Sequence, residues 1–381
     1  MNATKTYILE NIRLDMWNEF MQKIIHKINR KLNIKHEIIY QGILRYFTYV
    51  IGITKLTYYI FFPKTKSLMN NKNILISELT FYQVLDTKQI DMIMNIIIKY
   101  NRKYRIIIKN KINNYPIPNS INIKVRTSNK NIILNILDIE YKNEFTISKI
   151  HYDHLKNMYN KSDSDLNLWI CILLLRYRYY GKTKEGMCLC VNILYDFLKE
   201  ENITDNTLEV FAGSLNSNLK NYCSLFYDIE KYFGSKGSFF TLNLSKCEYK
   251  IFVANPPYMA EIIKKTFERI YEVLESCADI TVVITVPDWR SQKEYIFDKN
   301  IQINVGKKEL KRYETEYYGY PLIRNSKYFK YLLFIGDFSY YNFFSDSHRN
   351  INIPTLIILL SNKNSDTTIE NLKTYIINKI K

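Results

Sequence analysis

Four consecutive residues, Asn255-Pro256-Pro257-Tyr258, combine groups that can hold an exocyclic amine on an aromatic ring. The Asn255 side chain and the Pro256 carbonyl can together accept both N–H bonds of such an amine. Tyr258 offers a ring on which a base can stack. Two acceptors aimed at these hydrogens return electron density to a nitrogen whose lone pair is delocalised. Correct orientation of the amine supplies the rest of its reactivity as a nucleophile. The alternative interpretation is a loop in which two prolines merely end a strand.

The flanking sequence predicts the elements that position this stretch. Ile251 to Ala254 is a short apolar run typical of a buried strand, and Tyr258 to Ser276 has the spacing of an amphipathic helix. The two prolines lack a backbone N–H and fix φ, so the chain leaves the sheet there. Open α/β sheets bind ligands at the carboxyl ends of their strands, so we expect a ligand site at this point.

A second stretch, Thr207 to Asn216, predicts a short strand that ends in a turn of small residues. Such turns cradle nucleotide-like cofactors, and the pattern is a loosened Asp-x-Phe-x-Gly-x-Gly. Downstream, Asp228 and Glu230 can bind ribose hydroxyls. The glycine-containing basic turn Tyr232 to Gly237 either closes over the cofactor or is an ordinary loop.

Composition favours a folded protein with a polyanionic partner. The 381 residues include 54 basic and 37 acidic residues, a formal net charge of +17, and 47% are hydrophobic. This balance favours RNA or DNA, although part of the Lys excess reflects the composition of A+T-rich genomes. Six cysteines show no metal-ligand spacing, and no apolar run reaches the ~18 residues of a membrane span. We expect no metal, no membrane span and an intracellular, reducing location.

Basic and aromatic residues recur at places where a nucleic acid can bind. Arg176 ends an apolar helix, Lys236 lies in the basic turn, and residues 307–330 are crowded with Tyr, Lys and Arg. The stretch Tyr104 to Ile112 alternates basic and apolar residues and predicts an edge strand with a cationic face. The predicted RNA contacts are Arg176, Lys236, Trp289, Arg290, Arg312, Tyr317 and Arg324. Trp289 can equally be a core residue.

The order and spacing of motifs from about residue 147 to 338 resemble one family. It is the cap-specific adenosine N6-methyltransferases typified by the phosphorylated-CTD-interacting factor. The motifs that carry the resemblance are Ser148-Lys-Ile-His-Tyr, Leu175-Arg-Tyr177, Phe211-Ala-Gly-Ser-Leu-Asn216, Phe226-Tyr-Asp228, Tyr232-Phe-Gly-Ser-Lys-Gly237, Asn255-Pro-Pro-Tyr258 and Pro287-Asp-Trp-Arg290.

The resemblance implies an α/β protein, with a Rossmann-like S-adenosylmethionine-dependent methyltransferase domain preceded by a mainly helical N-terminal domain. We expect an RNA- and cap-binding domain over residues 1–200 and the methyltransferase domain over residues 201–381. The implied substrate is mRNA with a 7-methylguanosine cap, methylated at N6 of the first transcribed adenosine, which is usually 2′-O-methylated. We expect a monomer that is intracellular, in the nucleus or cytoplasm wherever transcription occurs.

The resemblance also assigns residues to roles. The catalytic residues that it implies are Asn255, Pro256, Pro257 and Tyr258. The implied S-adenosylmethionine contacts are Phe211, Ala212, Gly213, Ser214, Asn216, Asp228, Phe233, Gly234, Ser235 and Asn255.

Three features depart from the family pattern. Tyr258 stands where the family has Phe, and Gly213-Ser214 replaces a Ser-Pro pair. Trp17 has no partner Trp at WW spacing, so we expect the WW module of animal members to be absent. Association with RNA polymerase II is therefore not assumed.

Other functions remain open on the sequence. One is an adenine methyltransferase acting on DNA or internal RNA sites. Another is a glutamine methyltransferase, which the net charge disfavours. A third is an inactive RNA-binding subunit, which the intact Asn255 to Tyr258 stretch disfavours.

Overall fold

A computed structural model describes residues 2–53, 61–80, 85–137, 139–161, 163–180, 187–189, 192–243, 248–287, 326–342 and 347–380. The chain divides into two compact units, residues 1–183 with 226–234, and residues 184–225 with 235–381. The expected combination of a helical N-terminal region with a mixed α/β region is confirmed. The functional domains 1–200 and 201–381 stay a prediction.

The first unit begins with amphipathic helices. They are α1 (Ala3–Leu32), α2 (His36–Ile53), α3 (Thr65–Asn70), α4 (Lys72–Thr80) and α5 (Thr87–Asn114). The start of α5 is a capping box, in which Asp86 accepts the Gln89 backbone N–H and Gln89 accepts that of Asp86. Trp17 and Phe20 are buried between these helices.

The expected edge strand from Tyr104 to Ile112 is wrong, because the stretch lies within α5. Ile93, Ile97, Tyr104 and Ile108 recur at helical spacing and are buried. A three- to four-residue period places them on one face of a helix, whereas it would place them on both faces of a strand.

The rest of the first unit is a small antiparallel sheet with further helices. The strands are β1 (Asn122–Thr127), β2 (Asn131–Leu137) and β3 (Glu144–Ser148), in the order β1-β2-β3. The helices are α6 (Lys149–Met158), α7 (Leu166–Tyr177) and the short α9 (Tyr227–Glu230). Ser148 caps α6 by accepting the His151 backbone N–H.

The second unit contains a mixed sheet whose seven described strands have the order β4-β9-β10-β8-β7-β5-β6. Strands β6, β5, β7 and β8 are parallel, and β10 pairs antiparallel with β8. The strands are β4 (Met187–Leu189), β5 (Thr207–Ala212), β6 (Tyr222–Ser224), β7 (Ile251–Ala254), β8 (Thr281–Pro287), β9 (Phe329–Asn342) and β10 (Ser347–Ser361).

Helices cover both faces of this sheet. They are α8 (Asn192–Glu200), α10 (Ala260–Ser276) and α11 (Thr367–Ile380). Phe252 and Ala254 of β7 pack with α10, whereas Ile251 and Val253 pack with α8 and α11. Burial on both faces is why these central strands read as continuous apolar runs.

Candidate active site

Two turns leave the sheet from neighbouring parallel strands. The turn at residues 213–216 follows β5, and the turn at residues 255–258 follows β7. In the register of this pair, Thr207 lies opposite Ile251 and Glu209 opposite Val253. Because both strands run in the same direction, both turns emerge at the same edge of the sheet. The sheet therefore brings together the two stretches that the sequence singled out.

The stretch after β7 exposes its polar groups only in part. Asn255 and Tyr258 are half-buried, Pro256 is buried and Pro257 is exposed. The Tyr258 hydroxyl donates a hydrogen bond to Asn255 Oδ1 over 3.3 Å. Part of the Tyr258 ring packs against the core beside α8 and α11. The tyrosine thus orients the amide as well as offering a ring.

The turn after β5 is closed by its own hydrogen bonds. The Gly213 N–H donates to Asn216 Oδ1 at 2.6 Å, and the Asn216 N–H donates back to the Gly213 carbonyl at 3.0 Å. Ser214 is fully buried, with its hydroxyl 2.9 Å from the Tyr222 hydroxyl. Phe211, Ala212 and Asn216 keep exposed surface at this edge. These three residues, unlike Ser214, have side-chain or backbone surface open to solvent.

The sequence did not single out Glu209, a buried residue of β5 that binds the backbone just after this turn. Its carboxylate accepts hydrogen bonds from the Tyr195 hydroxyl at 2.7 Å and from the backbone N–H groups of Asn218 and Leu219 at 2.8 and 3.2 Å. Burial raises the pKa of Glu209 to about 7, although these hydrogen bonds act in the opposite direction. The available signal was an acidic residue inside an otherwise apolar strand.

The basic turn returns alongside β6. The Ser235 hydroxyl lies 2.6 Å from the Ser224 hydroxyl and accepts the Gly237 N–H at 3.1 Å. Gly237 has φ 98°, a left-handed conformation that favours glycine. The Lys236 backbone N–H donates to the Tyr222 carbonyl, while its side chain is exposed. Lys236 can therefore reach a ligand, whereas Ser235 is occupied within the turn.

Other predicted site residues belong to the first unit. Arg176 is fully buried there and donates to Glu10 at 2.6 and 2.7 Å and to Asp228 at 2.9 and 3.2 Å. Burial alone would lower the pKa of Arg176, but Asp228 and Glu10 hold it well above its usual value. This position gives no support to the predicted RNA contact. Phe233 is fully buried and Gly234 half-buried.

Several predictions fall on parts of the chain that are not described. Trp289, Arg290, Arg312, Tyr317 and Arg324 all lie outside the described residues. Within the described ranges, no three or more His, Cys, Asp or Glu side chains form a group that could hold a metal ion. No helix in those ranges is both long and apolar enough to span a membrane.

Comparison with known proteins gives a matching family model and partial matches to two mammalian proteins. A family model described as "Phosphorylated CTD interacting factor 1 WW domain" matches residues 148–318. A mouse (Mus musculus) protein named mRNA (2'-O-methyladenosine-N(6)-)-methyltransferase is 35% identical over 88 residues, 22% of this chain and 12% of the mouse protein. A human (Homo sapiens) protein of the same name is 29% identical over 174 residues, 41% of this chain and 23% of the human protein. The chain thus covers less than a quarter of either relative's length.

The family match corrects one expectation. The absence of a WW domain, inferred because Trp17 has no partner at WW spacing, is wrong. The matching family model is itself described as that WW domain, and it matches residues 148–318. Trp17 lies upstream of this range.

Proposed function

We propose that this protein is an mRNA cap-specific adenosine N6-methyltransferase. It transfers a methyl group to N6 of the first transcribed adenosine, or 2′-O-methyladenosine, next to the 7-methylguanosine cap. The observation that carries the proposal is the emergence of the Asn255 turn and the Gly213 turn at one edge of the sheet, from neighbouring parallel strands. The names of the mouse and human relatives support the substrate.

We propose a Rossmann-like methyltransferase fold for the second unit. The four parallel strands, the antiparallel strand β10 next to β8, and helices on both faces support it. S-adenosylmethionine is the proposed cofactor. The exposed surfaces of Phe211, Ala212 and Asn216 fit an adenosyl group, because an aromatic ring and an amide can stack on and bind a nucleoside. Contacts from Asp228, Phe233 and Gly234 stay a prediction.

The proposed chemistry depends on Asn255 and Pro256. Their carbonyl oxygens accept the two N–H bonds of the adenine amine, so its lone pair points away from them. Asn255 Oδ1 can accept from both Tyr258 and the substrate, since a carbonyl oxygen has two lone pairs. When bound, S-adenosylmethionine supplies the methyl group as an electrophile. The amine gains that methyl and releases one proton to solvent.

The test is mass spectrometry of the first nucleotide after the protein is incubated with S-adenosylmethionine and capped RNA beginning with adenosine. We expect N6-methyladenosine at the first position. Matched RNAs that are uncapped, or that begin with guanosine, are the controls. Equal methylation of uncapped RNA would contradict cap specificity, and methylation at internal adenosines would favour a different RNA methyltransferase. No methylation together with no cofactor binding in calorimetry would favour an inactive RNA-binding subunit.

A further inference from the structure

The positive charge of this protein is concentrated in its helical region. Residues 1–114 contain 19 basic and 7 acidic residues, whereas residues 115–381 contain 35 basic and 30 acidic residues. Basic residues are only slightly denser in residues 1–114 than in the rest of the chain, so the asymmetry arises mainly from the scarcity of acidic residues there.

Eight exposed cations of this region lie on two helices. We call them the cationic ridge: Lys23, Lys27, Arg30 and Lys31 of α1, and Lys99, Arg102, Lys103 and Lys109 of α5. No acidic residue occurs between Phe20 and Leu32 or between Met92 and Asn114. On α5, Arg102 and Lys103 lie three and four residues after Lys99, and Lys109 lies seven residues (two turns) after Arg102, so the four share one face.

The two rows of cations belong to helices that pack against each other. Lys23 Nζ lies 5.8 Å from the centroid of the Tyr104 ring, and Asp15 faces Lys111 electrostatically. Lys23 follows Asp15 on α1, whereas its neighbour Tyr104 precedes Lys111 on α5. The two helices therefore run antiparallel. One turn further along α1, Lys27 is level with the turns of α5 that carry Lys99 and Lys103.

Acidic side chains nearby do little to neutralise this surface. Glu10 and Glu78 are buried in ion pairs with arginines, and the carboxylate of Asp86 caps the start of α5. Glu19 pairs with Lys23, at one end of the ridge. The remaining cations of the ridge produce a positive potential over several helical turns.

We propose that the cationic ridge binds the sugar-phosphate backbone of RNA, along the body of the transcript rather than at its capped end. This inference rests on the proposed function in that the RNA is its substrate. Spaced exposed cations fit a flexible polyanion, and they carry no base-reading geometry. An anionic membrane fits less well, because the apolar faces of α1 and α5 are buried in the core rather than available for insertion.

The test compares two sets of four substitutions in the full chain. The ridge variant carries Lys27→Gln, Arg30→Gln, Lys99→Gln and Lys103→Gln. The matched control carries Lys124→Gln, Lys130→Gln, Lys142→Gln and Lys156→Gln, four exposed lysines of the same unit outside the ridge. Binding of long, uncapped single-stranded RNA is measured by fluorescence anisotropy at several salt concentrations, after circular dichroism confirms folding.

For the ridge variant we expect an affinity loss of roughly tenfold or more at low salt, and a salt slope lower by about 3 for four lost contacts. The control should keep most of the wild-type slope. An equal loss in the control would overturn the ridge as a specific surface. Stronger binding of wild type to phosphatidylserine vesicles than to RNA, lost in the ridge variant, would overturn RNA as the partner.

A methyl-transfer assay separates this inference from the proposed function. On a capped trinucleotide the ridge variant should turn over like wild type, whereas on long capped RNA it should need a higher concentration. The wild-type protein could prove inactive on both substrates and still bind long RNA through the ridge. That result would contradict the proposed activity and still support RNA binding by the ridge. Equal use of long RNA by wild type and ridge variant would overturn the ridge alone.

Discussion

The two units bury carboxylates in opposite ways. In the first unit, Glu10 is enclosed by Arg176 and Arg13, which lower its pKa although burial acts to raise it. In the second unit, Glu209 is hydrogen-bonded by uncharged groups, namely a tyrosine hydroxyl, two backbone amides and the Asn218 side chain, and burial raises its pKa to about 7. A buried carboxylate paired with cations keeps its charge, whereas one held by neutral donors titrates near neutral pH. The first arrangement fixes structure, and the second makes the candidate active site sensitive to pH.

The largest effect should follow from breaking the buried ion network. Arg176→Met leaves Glu10 and Asp228 without their shared cation, so the free energy of unfolding should fall by about 3–5 kcal/mol. Urea denaturation measures it. The control is Arg126→Met, whose ion pair with Glu144 is mostly exposed and should contribute less than about 1 kcal/mol. Equal losses in the two variants would show that Arg176 does not anchor the first unit.

A second prediction concerns catalysis in the second unit. Asn255→Ala removes an acceptor for the substrate amine, so kcat should fall on the order of 10²-fold while RNA affinity changes little. Single-turnover methylation and fluorescence anisotropy measure the two quantities separately. Ser276→Ala, which alters an exposed side chain at the end of α10 in the same unit, is the control. A drop in RNA affinity with unchanged kcat would make Asn255 a binding residue only.

The titration of Glu209 gives a pH dependence with a defined sign. Because the folded-state pKa is raised, this group's contribution to stability is full below about pH 4.5 and is lost as the pH rises through about 7. Between pH 5.5 and 8 the loss should be about 2 kcal/mol. Glu209→Gln should flatten this dependence, measured by denaturation across that range. An unchanged pH profile in the variant would assign the effect to another group.

The smallest effect should come from the Tyr258 hydroxyl. Tyr258→Phe keeps the ring and removes the hydrogen bond to Asn255, so kcat should fall by roughly two- to fivefold with KM unchanged. Steady-state kinetics on capped RNA checks this. A change in KM instead would indicate that the hydroxyl contacts the substrate rather than positioning the amide.

Local sequence patterns predicted the strand and helix that flank Asn255 better than they predicted the N-terminal helices. The strand before Asn255 and the helix after it follow from an apolar run, two prolines and an amphipathic repeat, all within 26 residues. The alternation of basic and apolar residues from Tyr104 to Ile112 gave a wrong strand prediction. A stretch this short fits both the two-residue period of a strand and the 3.6-residue period of a helix, and only the full length of α5 distinguishes them. Glu209 was missed because its donors come from other elements.

The sequence by itself determined that a polar, proline-ended turn follows a buried strand, since each of those properties belongs to consecutive residues. Tertiary structure alone decided which charges are available to ligands. Glu10 and Arg176 are 166 positions apart in the chain, and nothing local indicates that they bind each other. A long-range ion pair holds Arg176 inside the first unit, while helix packing brings the exposed cations of α1 and α5 close together.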